Sequence, residues 1–92
     1  MEKFNFEMKA DIDKDTGELL AVYFRIRKGE IAETKEYANG NAYADFNHQG
    51  KLLGLEVLGP CEITVLEKIA RKEPKAKKFV RDNIPNQLAL AS

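Results

Sequence analysis

Regularly spaced glycines divide the first two thirds of this 92-residue sequence. Five of the six glycines follow one another at intervals of 12, 11, 10 and 9 residues, at Gly17, Gly29, Gly40, Gly50 and Gly59. Turn residues at such intervals are typical of a chain of short antiparallel strands. We therefore expect residues 1–59 to form an antiparallel β-meander of four to five strands.

Alternation of apolar and polar residues supports these strands. Period-two alternation places one set of side chains against a core and the other set in water. The predicted inward sets are Phe4, Phe6, Met8, Ala10 and Ile12, then Leu20, Val22, Phe24 and Ile26, then Ala42, Ala44 and Phe46, and last Leu53, Leu55 and Val57. The segment 31–37 is charged and carries few apolar side chains, so we expect an edge or partly exposed strand there.

The periodicity changes after Pro60, where helices are expected. Thr64 and Glu67 have the spacing of a capping box, which predicts a helix over about 65–72 with an apolar stripe. Pro74 disfavours the continuation of that helix, because the residue before a proline avoids the helical conformation.

Residues 75–83 can form a second, basic helix that Pro85 ends, and residues 87–92 are expected to be frayed. The predicted fold class is α+β. It is a single domain in which one or two helices of a basic C-terminal extension, 60–92, pack on one face of the meander.

Charge is separated along the chain, although 15 basic residues balance 15 acidic ones. Residues 1–66 hold 8 basic and 12 acidic side chains, and residues 67–92 hold 7 basic and 3 acidic ones. The cations of this basic tail are Lys68, Arg71, Lys72, Lys75, Lys77, Lys78 and Arg81. They could contact nucleic-acid phosphates, or they could form a solvated helix face that also offsets the acidic body.

Composition excludes several kinds of chemistry. The lone cysteine, Cys61, cannot form an internal disulfide, and one Cys with one His cannot supply a four-ligand zinc site without carboxylates or a second chain. Cys61 and His48 could form a thiolate–imidazole pair, but no third residue is marked to orient them. The acidic segment 11–18 fails as a calcium loop, because Thr16 stands where glycine is needed and Val22 where glutamate is needed. We expect no enzymatic activity, no cofactor and no metal.

The sequence also bears on location. Its first residues are charged throughout and lack the apolar region of a secretion signal. No apolar run approaches the ~20 residues that span a bilayer. We therefore expect a cytoplasmic protein that does not enter a membrane.

Five residues that alternate with the inward sets form a candidate interaction face: Tyr23, Arg25, Tyr43, Asp45 and Glu56. Tyrosine and arginine are favoured anchors in protein interfaces, and arginine can pair with a carboxylate in two hydrogen bonds. The other interpretation is an ordinary solvent face with cross-strand pairs. Both interpretations place these five side chains on the side of the sheet opposite the predicted core.

Four segments suggest a family. They are Asp13-Lys14-Asp15, then 20–26, then Ala44-Asp45-Phe46-Asn47 with Gly50, and last 53–58. On these segments the stretch 11–59, about half the chain, resembles the short bacterial proteins catalogued as domain of unknown function 2283. Asn47 stands where an acidic residue is usual in that family, and the basic tail extends past the usual domain. Some similar proteins are encoded beside small toxin-like partners, so the resemblance implies at most an antitoxin-like binding role.

These observations favour a non-catalytic protein-binding module, either a homodimer or the antitoxin-like partner of a small bacterial protein. The alternative is a nucleic-acid-contacting protein that uses the basic tail. An enzyme ranks last, because only the outward carboxylates of Asp45 and Glu56 could do acid–base work.

Overall fold

A computed structural model describes residues 3–90 as a five-stranded sheet with two helices on one face. The strands of the sheet are β1 (Glu7–Ile12), β2 (Leu19–Arg25), β3 (Glu33–Tyr37), β4 (Ala42–Phe46) and β5 (Leu52–Val57). The remaining elements are β6 (Cys61–Glu62), α1 (Ile63–Ile69), α2 (Pro74–Asn83) and β7 (Ala89–Leu90). All neighbouring strands of the large sheet are antiparallel, so the predicted α+β class is confirmed.

The strand order is β1-β2-β5-β4-β3, so β2 pairs with β5 and the sheet departs from a purely sequential meander. Three of the seven residues of β2 and five of the six of β5 are buried, whereas β3 is almost entirely exposed and carries three charged residues. Burying charges without partners is costly, so the apolar strands take the centre of the sheet and β3 takes an edge. The predicted edge position of the charged segment is confirmed.

The core lies between the two helices and one face of the sheet. Its sheet side includes Val22, Phe24, Ile26, Ala42, Ala44, Leu55 and Val57, all predicted inward and all at most 1% exposed. Its helix side includes Leu66 and Ala70 of the predicted apolar stripe, with Ala76 and Val80 from α2. Removing this apolar surface from water supplies the main stabilisation, roughly 25 cal/mol for each Å².

The predicted inward set is wrong for β1. All six of its residues are exposed, and Met8 and Ile12 are 43% and 53% exposed. Met8 stands opposite the buried Phe24, so it is on the core side, but β1 is the outermost strand and the helices do not cover it. Leu20 is also 45% exposed, at a register shift between β1 and β2.

Two aromatic residues ahead of β1 are packed rather than paired in the sheet. The rings of Phe4 and Phe6 stack with their centroids 4.9 Å apart, and Phe6 stacks on Phe79 of α2 at 4.7 Å. Phe4 is partly buried against the core, as predicted, whereas Phe6 is 36% exposed. The segment therefore connects the outer end of the sheet to α2.

A bulge changes the inward set of β5. The register between β4 and β5 shifts so that Leu52, not Leu53, stands opposite Phe46. Leu52 joins the core cluster, whereas Leu53 is buried outside it, against Gly29. A bulge re-aims the side chains beyond it, which strict alternation cannot anticipate.

The helices begin differently from the prediction. α1 begins at Ile63 after Glu62, whose side chain makes no capping hydrogen bond, so Thr64 lies inside the helix and the predicted capping box is wrong. The chain enters α1 directly from β6, which sets the start of the helix. Pro74 occupies the first turn of α2, a position that suits proline because its missing N–H is not needed there. Within residues 3–90, neither helix has the length and apolar character needed to cross a bilayer.

The predicted fraying of 87–92 is wrong for the part that the structure describes, and residues 91 and 92 lie outside it. A short turn, Asn86–Leu88, places Leu88 in the core with 4% exposure. Ala89 and Leu90 then pair with Cys61 and Glu62 as the parallel β6–β7 pair. Ala89 and Leu90 are therefore held beside the start of α1.

Candidate functional site

The face of the sheet that the helices leave uncovered brings the predicted interaction residues together. Glu56 of β5 stands opposite Tyr23 of β2 and Tyr43 of β4, and Gly54 stands opposite Arg25 and Asp45. All five predicted residues therefore share one face of three adjacent strands, opposite the core. We call this surface the open face; with its flanking strands it comprises Glu7, Lys9, Asp11, Ala21, Tyr23, Arg25, Thr34, Glu36, Tyr43, Asp45, Gly54 and Glu56.

Tyr23 crosses the open face from β2 to β4. Its hydroxyl donates a hydrogen bond to Oδ2 of Asp45, 3.2 Å away. The strand between them contributes Gly54, and a Cβ added to Gly54 would stand 1.8 Å from the Tyr23 hydroxyl oxygen. The absence of a side chain at Gly54 is thus what allows the tyrosine ring to lie across the central strand.

Asp45 accepts a second hydrogen bond, from the hydroxyl of Thr34 on the edge strand β3, at 2.6 Å. Arg25 does not pair with Asp45 in the structure; its guanidinium is 3.5 Å from the Glu7 carboxylate on β1. The ion pair between Arg25 and Glu7 therefore links β2 to β1. The two hydrogen bonds to Asp45 link β4 to β2 and to β3. These contacts hold the Tyr23, Asp45 and Arg25 side chains in place on the open face.

Burial, and then the neighbouring Asp45 carboxylate, raise the pKa of Tyr23 to about 12. The Tyr23 hydroxyl is therefore a neutral hydrogen-bond donor at physiological pH. The Asp45 carboxylate accepts a hydrogen bond from each of two hydroxyl groups, those of Tyr23 and Thr34.

Negative charge predominates on the open face. Five carboxylates, from Glu7, Asp11, Glu36, Asp45 and Glu56, share it with the cations Lys9 and Arg25. The formal charge of this surface is thus −3, from five negative and two positive groups. A shallow depression of about 190 Å³ lies on it, with Ala21, Tyr23, Glu56 and Leu58 among its lining residues.

The structure divides the basic tail between different surroundings. Lys68, Arg71 and Lys72 line a cleft of about 670 Å³ on the helix side of the sheet. Lys78 pairs with Asp82 at 2.6 Å, and Arg81 lies 3.6 Å from Glu67. The hydrogen bond from Lys78 lowers the pKa of the Asp82 carboxyl. Lys75 and Lys77 lie on α2, outside the cleft.

The structure also places the other residues that the sequence singled out, namely Cys61, His48 and the acidic turn. Cys61 is 2% exposed in the core, and burial together with Glu62 raises the pKa of its thiol, which suits a packing residue better than a nucleophile. His48 lies in the β4–β5 turn. In the acidic turn, the Asp13 carboxylate accepts hydrogen bonds from the backbone amides of Asp15 and Thr16. Among the described residues, no group of three or more His, Cys, Asp or Glu side chains is placed to hold a metal ion.

Sequence analysis missed a buried ion pair. Arg27 is 5% exposed, and its guanidinium donates hydrogen bonds to both carboxylate oxygens of Glu73 and to the carbonyl of Leu52. It also lies 5.2 Å from the centroid of the Phe4 ring. This pair joins the end of β2 to the corner between α1 and α2. Arg27 directly follows the predicted inward residue Ile26, so alternation places it on the outer side of the strand, and no local signal links it to a residue 46 positions away.

Comparison of the chain with family models, curated proteins and solved structures finds no match. The resemblance to domain of unknown function 2283 therefore stays a prediction.

Proposed function

We propose that this protein is a non-catalytic protein-binding module whose open face takes a basic partner protein. The observation that carries the proposal is the arrangement of Tyr23, Gly54 and Asp45 within a surface of net charge −3. Tyrosine rings bury a large area with few rotamers to fix, and here Tyr23 is already fixed. The surplus of carboxylates favours and steers a partner of opposite charge.

A basic partner agrees better with this surface than a second copy docked face to face. Two open faces in contact would bring ten carboxylates together with only four cations, twice the numbers of one face. Like charges placed opposite one another cost several kcal/mol in an interface, on the order of 2–5. The resemblance to domain of unknown function 2283 also supports a binding role, in which this chain is the antitoxin-like partner of a small protein in the bacterial cytoplasm.

Co-purification with charge-reversal variants tests the open face. The tagged full chain, the Glu56→Lys variant and the Glu30→Lys variant are each used to capture proteins from the native host. Glu30 is an exposed residue outside the open face, so this control carries the same change in charge. We expect one basic protein, identified by mass spectrometry, to bind the wild type and Glu30→Lys.

The purified partner should bind Glu56→Lys at least about tenfold more weakly, and salt should weaken the wild-type complex. The proposal is wrong if the two variants bind the partner equally, if the partner is acidic, or if the wild type captures no protein. Far-UV circular dichroism of each variant establishes that the fold is retained.

A second candidate function, homodimerisation, is favoured by the outer edge of β1. This strand is exposed along its whole length, and Met8 leaves 43% of its side chain in water. An unpaired, partly apolar edge is a template for a strand of another chain. In an antiparallel pairing of two copies centred on Met8, Glu7 stands opposite Lys9 of the second copy, and Lys9 opposite its Glu7. The register therefore places opposite charges together twice.

A charge swap tests this register. Lys9→Glu creates two like-charge contacts, so the dimer should dissociate at concentrations where the wild type remains associated. The double variant Glu7→Lys with Lys9→Glu restores both contacts and should restore the dimer. Analytical ultracentrifugation measures each state. A wild-type monomer at all concentrations, or a folded double variant that stays monomeric, contradicts the proposed dimer.

The nucleic-acid alternative has weaker support from the geometry. Lys78 and Arg81 of the tail are engaged with carboxylates, and Lys68, Arg71 and Lys72 border a cleft instead of continuing along α2. Nucleic-acid binding stays a prediction, and the dye-displacement experiment below includes an oligonucleotide.

A further inference from the structure

A second concave site lies on the helix side of the sheet, away from the open face. It is a cleft of about 670 Å³ between α1 and its C-terminal turn on one side and β3, β4 and the start of β5 on the other. This volume is in the range of sites that enclose small organic ligands, about 300–1,000 Å³. The cleft exists because α1 and α2 pack over the central strands and leave the β3 edge of that face open.

The floor of the cleft is apolar. Its lining includes Tyr37, Phe46, Leu52, Val65, Ile69 and Ala70. Leu52 and Ala70 are buried, whereas the other four are only partly buried although they pack against the core. Partly exposed apolar side chains in a concave surface gain free energy when an apolar group replaces water against them.

The rim of the cleft is cationic. Lys35 and Lys51 border it on the sheet side, and Lys68, Arg71 and Lys72 on the helix side. Two carboxylates also line it; Glu73 is paired with Arg27, and Glu33 lies 4.0 Å from Lys35. Among residues 3–90, no carboxylate lies within ion-pair distance of Lys68, Arg71 or Lys72. Five cations with two carboxylates leave an excess of three positive charges around an apolar floor.

One cation is already placed over the floor. The Lys35 ammonium lies 5.4 Å from the centroid of the Phe46 ring. A charged headgroup bound near Lys35 would therefore leave the body of the ligand beside an aromatic ring. The arrangement combines an anion-attracting rim with an apolar surface large enough for a chain or ring.

We propose that this cationic cleft, defined by the five rim cations and the six apolar floor residues, binds a small amphipathic anion. The ligand class is a carboxylate, sulfonate or phosphate that carries a single acyl chain or aromatic body. Its charge relieves the mutual repulsion of the rim cations, and its body covers the apolar floor. The cleft and the open face are independent sites on opposite faces of the sheet.

Fluorescence of anilinonaphthalenesulfonate, an aromatic anion that brightens in apolar surroundings, measures binding to the full chain. We expect Arg71→Gln with Lys72→Gln to weaken dye binding about tenfold. The matched control, Lys75→Gln with Lys77→Gln, removes the same charge from α2 outside the cleft and should change the affinity less than about twofold. Lys35→Gln gives an independent test from the sheet side and should weaken binding about threefold.

Competition defines the class of ligand. Laurate should displace the dye, and dodecyltrimethylammonium, which has a similar chain with the opposite charge, should not. The proposal is overturned if the cleft variants and the control weaken binding equally, if both amphiphiles displace the dye equally, or if a single-stranded oligonucleotide displaces it at lower concentration than laurate. The last result would assign the cations to nucleic acid. Thermal melts of all variants show whether they remain folded.

Discussion

Tyr23 reaches Asp45 only because the strand between them has no side chain at Gly54. An alanine there would place a methyl group 1.8 Å from the tyrosine hydroxyl oxygen and 2.3 Å from Cζ. The ring would have to leave its position and lose its hydrogen bond to the carboxylate. Three residues on three strands therefore act as a unit, and their free energies should not be additive.

A double-mutant cycle measures this coupling. In the wild-type background, we expect Gly54→Ala to lower the free energy of unfolding by about 2–3 kcal/mol, through overpacking and the lost hydrogen bond. In the Tyr23→Ala background the methyl group meets no ring, so the same substitution should cost less than about 1 kcal/mol. Urea unfolding of the four proteins gives the coupling. Equal costs in both backgrounds would show that Tyr23 does not lie over Gly54.

The pH dependence of stability provides a second prediction for Tyr23. Its pKa is raised to about 12 in the folded protein, above the ordinary tyrosine value of 10.0. The folded state thus favours the neutral phenol, and this contribution is fully present below pH 10.0 and lost as the pH rises towards 12. Tyr23→Phe should lack this loss between those values. A tyrosinate absorbance titration should show one step near 12 that disappears in Tyr23→Phe.

Alternation predicted which residues share the open face, because the side-chain period of a strand depends on its own sequence. It could not predict that Tyr23 bonds Asp45 across Gly54, since that contact depends on β2 pairing with β5. The burial and pairing of Arg27 could not be predicted for a related reason. Its partner Glu73 follows it by 46 residues, and only the docking of the helices brings the two together.

At the scale of elements, alternation and turn residues predicted four to five strands and a second helix over 75–83, and the structure has five strands in the large sheet and α2 over Pro74–Asn83. The order of the strands in the sheet could not be predicted in this way, because it depends on which strands tolerate an exposed edge position. The C-terminal segment, 87–92, was predicted to fray because the last residues of a domain are usually poorly ordered unless contacts hold them. The order of its described part, 87–90, comes from one buried side chain, Leu88, and from parallel pairing with Cys61 and Glu62, both of them long-range contacts.

Two leucines in this segment allow a matched test. Leu88 is 4% exposed in the core, and Leu90 is 47% exposed. We expect Leu88→Ala to destabilise the protein by about 2–4 kcal/mol, because it removes buried apolar atoms and leaves a cavity. Leu90→Ala should change the free energy of unfolding by less than about 0.5 kcal/mol. Chemical denaturation of both variants checks this, and similar small values for both would mean that the segment does not pack.

At the scale of the whole molecule, the acidic open face and the cationic cleft lie on opposite sides of one sheet, with a shared core behind them. That core draws side chains from both halves of the chain, including Phe24 and Leu55 from the sheet and Leu66, Val80 and Leu88 from the C-terminal extension. Neither half can bury its apolar surface without the other. We therefore expect that the acidic and basic parts of the sequence are not independently stable.

This shared core predicts a single unfolding transition. The chain has no tryptophan, and its three tyrosines, Tyr23, Tyr37 and Tyr43, all lie in strands of the sheet. Tyrosine fluorescence thus reports on the sheet, while far-UV circular dichroism is dominated by α1 and α2. We expect the two signals to change at the same denaturant concentration, because loss of the helices exposes the core face of the sheet. A helical signal that disappears first would show that the sheet is stable by itself, and that the helix side of the cationic cleft can detach from its sheet side.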